Sequence, residues 1–189
     1  MAKIYEKIDD EMSAWIKQQR VFFVATAPIA RDGHVNCSPK GGDSFKVIDP
    51  LTVVYQDLTG SGAETISHLR ENSRIVVMFC AFEGPPRIVR LHGRGEAVTP
   101  GLPEYPFFVT FFPENSGTRA FIRVRISRIS DSCGYAVPFF DYKGDRDALE
   151  KWARAKGADK LEAYRREKNL RSIDGLPAFD DIPKSFRPV

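Results

Sequence analysis

The 189-residue chain has little cysteine, and what it has is scattered: Cys37, Cys80 and Cys133 form no Cys-x-x-Cys pair. Three distant thiols build neither a disulfide scaffold nor the paired spacing of a structural zinc site. Long hydrophobic runs are missing too. No stretch approaches the roughly 18 apolar residues of a membrane span. The start, Met1-Ala2-Lys3-Ile4-Tyr5-Glu6, lacks the apolar run of a signal peptide. A cytoplasmic protein with no membrane partner is the expectation. Charge of one sign is also scarce, with 28 Lys and Arg against 25 Asp and Glu. Residues 1–140 carry 16 basic and 15 acidic groups, and residues 141–189 carry 12 and 10. Neither part is a polycation, which argues against a nucleic-acid partner. His34, His68 and His92 have no metal-ligand spacing, so no metal site is expected. No Gly-x-Ser-x-Gly motif marks a nucleophile, and no catalytic residue stands out.

What is present is an ordinary globular balance, 42% hydrophobic and 28% charged, on a length suited to one domain. Phenylalanine is abundant at 14 residues. A helix is predicted from Ile8 to about Gln19, where Ile8, Met12, Trp15 and Ile16 recur at helical spacing. Six β runs follow: 21–27, 34–38 after the Asp32-Gly33 turn, 51–56, 75–80, 89–98 and 121–129. The run 75–80 is apolar throughout, as in a strand buried on both faces. In 89–98, polar Arg90, His92, Arg94 and Glu96 alternate with apolar or small residues, and Gly93 and Gly95 suggest a bend or a close backbone approach. Between the last two runs Tyr105, Phe107, Phe108, Phe111 and Phe112 are too aromatic for a free loop and belong in the core or a subunit interface.

From Gly144 the period becomes helical. Asp145 is placed to cap a helix that Gly157 stops, and a second helix follows with Leu161 and Tyr164 inside and Arg165, Arg166 and Lys168 in water. The predicted fold is mainly β: a six-stranded antiparallel split β-barrel of Greek-key type with an embedded short helix, an N-terminal helix and a C-terminal helical extension. The barrel domain is expected over residues 1–135 and the extension over 136–189.

Two segments carry binding chemistry. In Tyr55-Gln56-Asp57-Leu58-Thr59-Gly60-Ser61-Gly62-Ala63-Glu64-Thr65 a strand turns through glycines into a helix. Glycines let a backbone approach a ligand, and a helix N-terminus offers free N–H groups to an anion. Thr59, Ser61 and Thr65 add hydroxyls. The segment lacks the Gly-Lys-Ser/Thr ending of a P-loop, and Ser61-x-x-Glu64 equally fits a capping box that merely closes the helix start. The second segment is Ser38-Pro39-Lys40-Gly41-Gly42, where glycines flank a lysine at a strand end. A solvated turn is its plainer reading.

Taken together at this separation, these segments resemble the pyridoxamine 5′-phosphate oxidase-like, FMN-binding split β-barrel superfamily. The resemblance runs through residues 21–27, 34–43, 51–57 and 59–71, the Asn72-Ser73-Arg74-Ile75-Val76-Val77 strand start, and 87–98 with Gly93-Arg94-Gly95. The tail, with Ser132-Cys133-Gly134-Tyr135 and Ser172-Ile173-Asp174-Gly175, is similar to that of a bacterial subgroup. The resemblance implies a homodimer with two FMN sites at the subunit interface. Phosphate would lie near Lys40 and the 59–65 loop, with Thr59, Gly60, Ser61 and Thr65 as contacts. The flavin ring would pack on Asn36, Ser38, Pro39, Lys40 and Gly41 and on Tyr55, Gln56 and Asp57. Arg87, Arg90 or the aromatic segment would come from the other subunit. The cofactor would supply hydride transfer at N5 to or from a small molecule, with a nicotinamide as one donor. The chain departs from the oxidase itself, which has an Arg-Lys pair where Gly62, Ala63 and Glu64 stand here. It also lacks that enzyme's C-terminal Trp and Arg pattern, so a flavoprotein of other specificity is implied. The rival is a non-catalytic flavin, haem or deazaflavin binder, or a stress-response protein, on the same fold.

Overall fold

The computed structural model describes residues 3–179. One antiparallel sheet dominates it. Its strands are β1 (Lys3–Tyr5), β2 (Val21–Thr26), β3 (Asn36–Gly41), β4 (Phe45–Asp49), β5 (Thr52–Leu58), β6 (Arg74–Cys80), β7 (Ile88–Val98) and β8 (Thr118–Ser132). They run in the order β3-β2-β6-β7-β8-β5-β4, with β1 pairing the far end of β8. The fold is the expected split β-barrel. Seven strands, not six, make its continuous path, and β1 adds an eighth. Besides β1, the strand missing from the sequence reading is β4. Its five residues follow Gly41-Gly42-Asp43, which reads as turn, and they alternate only briefly: Phe45 and Val47 face the core while Lys46 does not.

The ends of the path, β3 and β4, are neighbours in sequence, yet no ladder joins them among the described residues. The sheet curls until Phe45 on β4 lies 5.1 Å from Phe22 on β2 and 5.0 Å from Phe79 on β6, ring centre to ring centre. Aromatic contact thus closes the interior where hydrogen bonds do not. Inside lie Val24, Val53, Tyr55, Val77, Leu91, Ile122, Val124 and Ile129, supplied at every second position of their strands until a β-bulge in β8 shifts the phase before Ile129.

Among the described residues four helices accompany the barrel: α1 (Asp10–Gln18), α2 (Glu64–Asn72), α3 (Tyr105–Val109) and α4 (Ala148–Lys168). Asp9 caps α1, accepting a hydrogen bond from the Met12 amide at 2.8 Å. The aromatic segment divides. Phe108 and Phe112 join Val54, Val98 and Phe121 in a second core on the outer side of the sheet, while Phe107 and Val109 remain exposed. Strand β5 is therefore covered on both faces, as is the first part of β8, with Ala120 and Ile122 in the inner core and Phe121 in the outer one. In β6, expected to be so, Val76 and Met78 are only half-buried. Gly157 breaks α4 in two with a left-handed φ of 72°. The α4 start is Asp147 rather than Asp145, and it makes no side-chain cap. Arg165, expected in water, is buried.

Candidate functional site

Where the ends of β3 and β5 meet the 59–63 loop and the start of α2, a cleft of about 1480 Å³ opens. On β3 the alternation sends Asn36, Ser38 and Lys40 inward and leaves Cys37, Pro39 and Gly41 exposed. Asn36, Ser38, Pro39, Lys40 and Gly41 nonetheless all border the cleft, with Gln56, Asp57, Gly60, Ser61 and Thr65. The fold thus gathers most of the sequence candidates around one space. Three lie elsewhere. Tyr55 is wholly buried in the core, where burial and then the Asp57 carboxylate push its phenol well above the usual value. Thr59 is also wholly buried, and its hydroxyl donates to the Gly117 carbonyl at 2.8 Å. Arg90 is on β7 and donates to the Ser132 hydroxyl at 3.0 Å, away from the cleft.

At the β3 wall the side chains form a chain of hydrogen bonds. Ser38 donates to Asn36 Oδ1 at 2.9 Å. Asn36 Nδ2 donates to the hydroxyls of Thr65 at 3.0 Å and Thr26 at 3.2 Å. Thr26 in turn shares a 2.9 Å hydrogen bond with Nδ1 of buried His68, whose imidazole is held below its usual pKa by burial and so stays neutral. Both atoms of the Asn36 amide are thereby fixed in orientation.

The floor is ionic. Asp57, 1% exposed, accepts from Arg119 at 2.6 Å and from Lys40 at 3.3 Å. Burial pushes its carboxyl up, but Arg119 and Lys40 outweigh that and bring it below the usual range. Arg119, itself on the cleft wall, also donates to the Gly62 carbonyl at 2.7 Å and to Asn169 Oδ1 at 2.9 Å. Asn169 Nδ2 reaches the Gly60 carbonyl at 3.0 Å. Arg165 donates to the Thr59 hydroxyl at 2.8 Å and the Thr118 carbonyl at 3.0 Å. Sequence reasoning missed Arg119, Arg165 and Asn169. Spacing held one signal for Arg165, four residues after Leu161 and so on the same helix face.

The capping box is not formed. The helix is preceded by Ala63 with no side-chain cap, and the Glu64 carboxylate accepts instead from the Ile173 amide at 3.1 and 3.2 Å. The first-turn amides of α2 are therefore left for another acceptor at the cleft wall. Glu64 is also the residue most opposed to an anion there, and the tail ties it down. The arrangement can hold a ligand with one anionic end and a larger, partly apolar body. Among the described residues no cluster of three His, Cys, Asp or Glu suits a metal ion.

The model of a protein family described as "Pyridoxamine 5'-phosphate oxidase" matches residues 8–133. A fungal relative, the pyridoxamine 5'-phosphate oxidase family protein ustO of Aspergillus flavus, is 40% identical over 196 residues, covering 95% of this chain and 78% of that protein. Among solved structures, HupZ of Group A Streptococcus is similar at 24% identity and a TM-score of 0.50, over 65% of this chain and 91% of that one. A single-substitution variant of HupZ gives 23% and 0.52, over 66% and 99%. These structural likenesses concern the fold.

Proposed function

The chain belongs to the pyridoxamine 5'-phosphate oxidase family, and on that premise we propose that it is a cytoplasmic, homodimeric flavoprotein that binds FMN in this cleft and oxidises or reduces a small molecule. One observation carries the reading. The α2 start offers uncapped amides to the cleft beside Ser61, and Lys40 stands across from it on β3. An anionic phosphate suits that end. The wall of Asn36, Ser38, Pro39 and Gln56 would hold the flavin ring, and the locked Asn36 amide would give it polar contacts. Bound there, the flavin supplies hydride chemistry at N5, and the chain supplies orientation and charge. The dimer would place each cleft at the subunit interface. Pyridoxamine phosphate is not the substrate we propose, because the loop and the C-terminus both depart from that oxidase.

The test is the absorbance spectrum of freshly purified protein, followed by FMN titration. The expected result is a flavin spectrum, or saturable quenching of added FMN. A folded protein that binds no FMN overturns the proposal. Mixing the complex with NADPH and NADH separates enzyme from binder, since a bound flavin that neither nicotinamide reduces favours the non-catalytic reading.

A further inference from the structure

Resting on that flavin site, we infer that Arg119, Arg165 and Asn169 are positioning residues that aim and charge the 59–62 loop for the cofactor's phosphate. Within the loop, Thr59-Gly60-Ser61-Gly62, there is no cation at all. Its carbonyls, however, are claimed by side chains from other elements: Asn169 holds that of Gly60 at 3.0 Å and Arg119 that of Gly62 at 2.7 Å. A trans peptide points its C=O and N–H in opposite directions, and no peptide among the described residues is cis. Drawing the Gly60 carbonyl onto Asn169, which does not border the cleft, therefore turns the Ser61 N–H the other way. Gly60, Ser61 and Gly62 border the cleft, as Arg119 does. The start of the loop is pinned as well, because the Thr59 hydroxyl accepts from Arg165 and the Thr59 amide donates to the Gly117 carbonyl at 2.7 Å.

The same side chains supply charge. Arg119 and Arg165 bring two buried guanidiniums against the loop; Asp57 pairs with Arg119 at 2.6 Å and with Lys40 at 3.3 Å, so its single negative charge leaves these three cations in surplus. Burial, with Arg119 nearby, pulls Arg165 down to about 10, so it stays charged at neutral pH. The cations absent from the loop sequence are thus provided by β8 and α4. Residues 165 and 169 lie outside the stretch matched by the family model, so the C-terminal extension completes the site.

Riboflavin, which has the ring and lacks the phosphate, isolates the effect. Dissociation constants of both flavins are to be measured by fluorescence quenching for the full wild-type chain and for Asn169→Ala. FMN affinity should fall about tenfold, as expected for one lost hydrogen bond to an oriented loop, while riboflavin affinity stays within about twofold. Unchanged FMN affinity overturns the inference, and so does a parallel loss of both flavins, which would mark a merely structural role. Arg165→Lys keeps the charge and loses the planar fork. It should show the same FMN-selective loss in smaller degree, and it decides the matter if Asn169→Ala does not fold. Wild-type protein that binds both flavins equally tightly refutes the phosphate role alone. Wild-type protein that binds neither refutes the flavin reading, and this inference with it.

Discussion

Asp57 carries an ionised carboxylate into the end of the barrel, at a cost that its two cationic neighbours offset. Removing one partner of a buried pair leaves the other charge uncompensated, which typically costs 3–5 kcal/mol. Asp57→Asn should therefore lower stability by about 3 kcal/mol at pH 7. The folded pKa is depressed by Arg119 and Lys40 against the opposing effect of burial. The carboxylate's contribution is thus present above the unfolded value of about 3.9 and is lost as pH falls through the lower folded value. Urea unfolding of wild type and variant at pH 7 and pH 3 checks this. The gap between them should be smaller at pH 3 than at pH 7; an equal gap at both sinks the argument. At this scale the sequence was half legible. Asp57 and Lys40 stood in segments with unusual local chemistry. Arg119 sat in no motif, and Arg165 looked like surface because arginine usually is, although its helical spacing put it beside Leu161.

Strand β7 shows how an element can be read correctly in period and still conceal its contacts. Its alternation and its two glycines were visible in the chain, and both glycines do mark close approach. At Gly93, next to a shift in the β7–β8 register, an added Cβ would sit 2.3 Å from the backbone oxygen of Arg125. At Gly95 it would meet the Leu69 side chain of α2 at 2.9 Å. Backbone cannot step aside as a leucine terminus can. Gly93→Ala should cost about 3 kcal/mol and Gly95→Ala about 1 kcal/mol, the two ends of the usual overpacking range. Urea midpoints of the two variants check the order; Gly95→Ala as damaging as Gly93→Ala would contradict it. Other elements were hidden for physical reasons. Strand β4 is five residues long and β1 is three, too short for a period to declare itself. The Ser61-x-x-Glu64 pattern failed as a capping box because α2 starts two residues later, with Glu64 at its first position, and the glutamate is taken by the Ile173 amide, 109 residues away. Local sequence cannot register a partner that only the tertiary fold brings close.

At the scale of the molecule, the exposed apolar surface bears on assembly. Phe107 is 54% exposed, Val109 46% and Leu102 43%, all within or just before α3. Among the described residues the ring contacts of Phe107 lie within its own segment, 5.3 Å from Phe108 and 5.0 Å from Phe111 between ring centres. Such a run, anchored from beneath by Phe108 and Phe112, is rigid enough to dock and apolar enough to gain by it. A second copy of the chain is the occupant that the proposed homodimer requires. Light scattering after gel filtration should give twice the chain mass for wild type. Phe107→Asp combined with Val109→Asp should give the chain mass, because a carboxylate buried at an apolar contact has no partner there. Circular dichroism should be unchanged, since both side chains already face water. A monomeric wild type, or a double variant that still dimerises, removes α3 from the interface. The flavin then reports on the cleft: if a partner completes it, the monomeric variant loses FMN as well, and if FMN stays bound, one chain forms the whole site.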